Sequence, residues 1–88
     1  GVVHVVAWVA RFVANAQQAG TLEHRERFLE PLRQAGYSPD EVLSAQAVRN
    51  PHGEEYGRYI VGQLMAALMA GGPIPQAIRV MAMRHLYI

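Results

Sequence analysis

Polar side chains in the first stretch fall at His4, Arg11, Asn15 and Gln18, spacings that place them on one face of a helix. Val2, Val6, Val9, Val13 and Ala16 recur on another face. The many valines pull toward a strand, because β-branched side chains suit a pleated surface. Val2-Val3 and Val5-Val6 break the alternation that a half-buried strand needs, so a helix is predicted over 2–19, stopped by Gly20.

A second helix is predicted over 22–35, with Thr21 as cap, Leu22, Phe28, Leu29 and Leu32 inward, and Glu23–Arg27 as a surface pair. Pro31 should kink or break it, and Gly36 should end it. Ser38-Pro39-Asp40-Glu41 reads as cap, first-turn proline and capping-box acid, opening a third helix that runs to Arg49 with Val42, Leu43, Ala45 and Ala47 available for packing. Asn50-Pro51 repeats the cap-then-proline pattern. Glu54 and Glu55 enrich the opening turns of a fourth helix that reaches Ala70 and stops at Gly71-Gly72. Pro73-Ile74-Pro75 is a stiff link to a last helix over 76–87, packed along Ile78, Val80, Met81 and Leu86. The expected fold is all-α: a small bundle of about five short helices around a single core, one domain over residues 1–88.

Composition sharpens this picture. Of the 88 residues 51% are hydrophobic and 17% charged, too apolar for a disordered chain and more apolar than a core this small can hide. All eight basic residues are arginine. A GC-rich genome explains that preference, and the suitability of a guanidinium for interfaces is the sharper reading. Every acid lies between Glu23 and Glu55, so the middle is net negative while residues 1–22 and 56–88 carry only arginine. Capping accounts for part of this segregation, since acids gather at helix N-termini. It does not account for two apolar arms without a single acid.

Those arms supply the candidate interface: Val6, Trp8, Val9, Arg11 and Val13 on the first helix, Gly62, Met65, Ala66, Met69 and Ala70 on the fourth, and Arg79, Met81, Met83 and Arg84 on the last. Gly62, Ala66 and Ala70 stand four apart, as do Ala10 and Ala14, a spacing that lets helices approach closely. All four methionines lie in the last third of the chain, where they serve either as core filling or as an adaptable groove. The expected function is a non-catalytic interaction or assembly module, a homo-oligomer or an accessory subunit of a larger complex, with Arg11, Arg79 and Arg84 at the rim.

Two alternatives belong to other classes. Residues 32–42 resemble, locally, the corner of helix-turn-helix DNA-binding proteins, with the turn at 36–38 and a recognition helix over 39–49. That helix opens with Asp40 and Glu41 and offers only Arg49 as a cation, so nucleic-acid binding is disfavoured. The polar cluster at His52, Glu55 and Tyr56 is the best place for chemistry or a small ligand, with His52 as a base oriented by Glu55. Its plain counterpart is a helix N-terminus whose acids meet the dipole.

The four histidines show no metal-ligand spacing, and the chain has no cysteine, phosphate loop or nucleophile elbow, so no metal or cofactor is expected. The charge-free run over 59–78 is long enough to span a bilayer, but Gly71, Gly72, Pro73 and Pro75 interrupt it. The chain opens at Gly1 rather than Met, as a processed or trimmed start would. Cytoplasm or an organelle matrix is the expected setting.

Overall fold

The computed structural model describes residues 22–71 and 73–87. Among them the fold is all-α, with four helices: α1 (Leu22–Gln34), α2 (Ala45–Arg49), α3 (Glu54–Ala70) and α4 (Gln76–Tyr87). The helix expected over 2–19 lies outside the described residues, and with it Val6, Trp8, Val9, Arg11 and Val13. No helix among the described residues is long and apolar enough to cross a membrane.

Helix α3 is the centre of the domain. Tyr56, Ile60, Val61, Leu64, Met65 and Leu68 recur along it one turn apart and are almost completely buried. That stripe is wide enough to take α1 against one side and α4 against another. Leu29 and Leu32 of α1 and Ile78 and Ala82 of α4 complete the core, with Phe28, Leu43, Tyr59 and Met81 partly buried around it. Ile74, in the Pro73–Pro75 link, is also buried, so the link is anchored as well as stiff.

Pro31 does not break α1. It sits at an exposed position in the last turn, where it removes a single backbone donor, and its own carbonyl still accepts from Ala35 N–H at 3.0 Å. Gly36 then ends the helix with φ +88°. Its N–H bonds to Arg33 O and the Tyr37 N–H bonds to Leu32 O, the paired closure that a left-handed residue permits. Tyr37 and Leu32, joined by that second bond, are both core residues, so the stop also sets the direction of the exit.

The third predicted helix is mostly absent. Residues 39–44 lie outside any helix, and α2 is only five residues long. Ser38 Oγ accepts from Asp40 N–H at 3.1 Å, a local turn rather than a helix cap. Glu41 does not reach back to the cap amide. Its carboxylate instead takes two hydrogen bonds from Arg58 on α3, at 2.8 and 3.1 Å. The true cap is Ser44, whose Oγ accepts from Ala47 N–H. Of the side chains expected to pack, Ala47 is buried and Leu43 partly so, while Val42 stands 80% exposed.

Asn50 closes α2 rather than opening α3, its N–H donating to Ala47 O. The residue at the start of α3 is Gly53, which has no side chain to cap with, and the acids Glu54 and Glu55 fill the first turn as expected. At the far end Gly71 adopts φ +76° and Arg25 Nη2 donates to its carbonyl at 3.0 Å, tying α1 to the C-terminus of α3.

Candidate functional site

Helix α4 has two faces with different fates. Ile78, Ala82 and His85 turn inward and are buried, with Met81 beside them. At 3.6 residues per turn, Gln76, Val80, Met83 and Tyr87 fall within about 60° on the opposite side. Val80, Met83 and Tyr87 are 46%, 59% and 79% exposed. Val80 was expected in the core, but the inward stripe formed by 78, 82 and 85 leaves it on the wrong side of the helix. Arg79 and Arg84 flank the exposed stripe, each about 40° beyond one edge. Arg84 is exposed. Arg79 is half-buried, and its Nε is buried without a hydrogen-bond partner. Neither arginine forms an ion pair among the described residues.

On α3 the expected interface residues divide. Met65 is a core residue, and Gly62 is buried within the fold. A Cβ on Gly62 would stand 2.5 Å from Ser38 O and 3.1 Å from the Glu41 Cβ, so the close approach that glycine permits here is to the 38–41 segment. Ala66 is half-buried, and Met69 and Ala70 are exposed at the end of the helix. Met81 spends most of its surface on the core, and Met83 faces out.

Beside Gly62, Arg58 joins several elements. It bridges Glu41, donates to Gly36 O at 3.1 Å and lies over the Tyr37 ring at 5.2 Å from the centroid. The hydrogen bonds to Glu41 hold the guanidinium pKa above its ordinary value. Burial pushes the Tyr37 phenol upward, with Arg58 opposing. No sequence motif signals this corner. Only the oddity of a glycine inside an apolar helix points to it.

The polar cluster assembles differently from its predicted form. Among the described residues no hydrogen bond links His52 to the exposed Glu55. His52 Nδ1 lies 3.1 Å from the His85 carbonyl oxygen, and His85 Nδ1 lies 2.6 Å from the Pro51 carbonyl oxygen. A carbonyl can only accept, so each imidazole carries its proton on Nδ1 and donates to backbone. The His85 ring lies nearly parallel to Tyr56, 6.1 Å between centroids. The result is a clasp that fastens the 50–53 turn to α4. The carboxylate that a proton relay would use to orient its base is missing from it.

Tyr56 is buried to the hydroxyl, and that hydroxyl has no hydrogen-bond partner among the described residues. An unpaired buried hydroxyl costs about 1–3 kcal/mol. Tyr56→Phe is therefore expected to leave the fold intact and raise its stability by about 1 kcal/mol. A urea midpoint that falls instead would show that the hydroxyl is engaged.

An open groove of about 230 Å³ runs between α1 and the end of α3, floored by Leu29, Leu68 and Met69. Its rim holds Arg25, and Arg33 paired to Glu26 at 3.4 Å. No three His, Asp or Glu side chains among the described residues converge as a metal site would require. Compared with protein families, with characterised proteins and with solved structures, the chain matches none.

Proposed function

We propose that this protein is a non-catalytic helical interaction module, acting as a homo-oligomer or as an accessory subunit of a larger complex. One observation carries the reading: the last helix buries one face and presents Val80, Met83 and Tyr87 from the other, bordered by arginines with no ion-pair partner among the described residues. Scattered exposed apolar residues are ordinary, but three aligned on one helix form a ridge on which another surface can settle. Met83, unbranched and polarisable, suits such a contact. Met69 and Ala70 add a smaller exposed apolar end to α3.

The expected result is self-association or a stable partner at micromolar concentration, weakened about tenfold or more by Met83→Ser or Tyr87→Ser. Sedimentation equilibrium and affinity capture with wild-type and variant chains test it. A monomer that captures the same proteins with and without the two substitutions would sink the proposal.

A further inference from the structure

Resting on that reading, we propose that the α4 ridge seats an amphipathic helix of another protein, one whose apolar stripe is bordered by aspartate or glutamate. Charge makes the choice. The ridge is framed by Arg79 on one edge and Arg84 on the other, and there is no acid anywhere between residues 56 and 88. Neither guanidinium is neutralised by a described neighbour, whereas Arg33 and Arg58 both have carboxylates. A partner helix with an apolar stripe of matching width would bring its flanking side chains over the two arginines. Carboxylates there would make charge-assisted contacts, and lysines would be repelled.

No described helix of a second copy offers that combination. The exposed side of α1 carries Glu26 and Glu30, but among polar neighbours and already drawn to Arg33. A second α4 offers apolar side chains among cations, so two ridges face to face would set arginine against arginine. On α3 the acids lie in the first turn while the exposed Met69 lies in the last. The exposed Val48 of α2 is followed by Arg49. The first 21 residues contain no acid and so cannot complement the arginines either. An anionic membrane would satisfy the charge, but two arginines and three apolar side chains make a weak interfacial anchor.

The test displays a library of helices of roughly four turns, with a fixed leucine stripe and Glu, Gln or Lys allowed at every flanking position, and selects it on the full chain. Glutamate should be enriched over lysine at the flanks by about tenfold or more. Selected helices should bind Met83→Ser about tenfold more weakly, and Arg84→Glu should reverse the charge preference. Circular dichroism checks that both variants, altered at exposed positions, keep the fold. Flanks that stay at their input composition, or selected helices that bind Arg84→Glu as well as wild type, overturn the inference. So does binding to phosphatidylserine vesicles that depends on Arg84 while the library yields no binder.

Self-association abolished by Met83→Ser, with no glutamate preference, overturns the inference and leaves the broader module reading standing. A chain that is monomeric, selects no helix and captures no partner overturns both.

Discussion

Replacing Gly62 with alanine is expected to destabilise the fold by about 1–3 kcal/mol, against the direction that helix propensity alone predicts. In an exposed helix interior alanine would be better than glycine by about 1 kcal/mol. Here the added Cβ would stand 2.5 Å from Ser38 O, a backbone atom that no rotamer change can move. The segment 38–41 must shift bodily, and that segment positions Glu41 for its two hydrogen bonds to Arg58. Arg58 in turn holds Gly36 O, so the exit of α1 is disturbed as well. Overpacking of this kind commonly costs about 1–3 kcal/mol, and the partly exposed ion pair adds no more than about 1 kcal/mol.

Chemical denaturation of wild type and variant measures the loss. Glu41→Gln separates the causes, because it weakens the ion pair without moving backbone and should cost under about 1 kcal/mol. A Gly62→Ala protein as stable as wild type would mean that the corner yields easily and that the glycine serves no close approach.

How far the fold was readable before it was seen depends on which interactions decide each element. Helix α3 is legible because everything that makes it lies along one stretch of chain: acids in the first turn, an apolar residue every three or four positions, and a glycine at the end. The C-terminal end of α1 at Gly36 is legible for the same reason. The segment 38–44 is not. Its local signals all point to a capped helix, whereas Ser38 closes a turn on Asp40 and Glu41 bridges to Arg58, 17 positions away. Both hydrogen bonds from Arg58 fall on Glu41 Oε1, a partner on another helix that the neighbouring residues do not announce.

The site divides along the same line. That Arg79 and Arg84 flank the outward stripe of Val80, Met83 and Tyr87 follows from helical spacing once the inward face is known. The inward face is not legible at Val80, because Ile78, Val80 and Met81 are all apolar and only the neighbouring helix decides which of them is covered. Local spacing pairs His52 with Glu55. The actual partners lie 33 and 34 residues away and are backbone carbonyls, which leave no signature in a sequence.

That clasp leads to the second large effect: His85→Ala should cost about 2–3 kcal/mol. The ring is buried, parallel to Tyr56, and its Nδ1 donates to Pro51 O at 2.6 Å. Truncation removes the ring from a packed site, opens a cavity beside Tyr56 and deprives the Pro51 carbonyl of a donor. Cavity and lost hydrogen bond act together on one place, the junction of the 50–53 turn with α4. His52→Ala should behave differently. His52 is exposed and donates to the backbone of His85, so its removal should cost under about 1 kcal/mol whatever side chain stands at 85. The asymmetry separates the two roles that a histidine can have here. A clasp predicts a large stability loss at His85 and a small one at His52. A catalytic His52 predicts loss of an activity with stability unchanged, and a His85→Ala chain within about 0.5 kcal/mol of wild type would remove the structural explanation altogether.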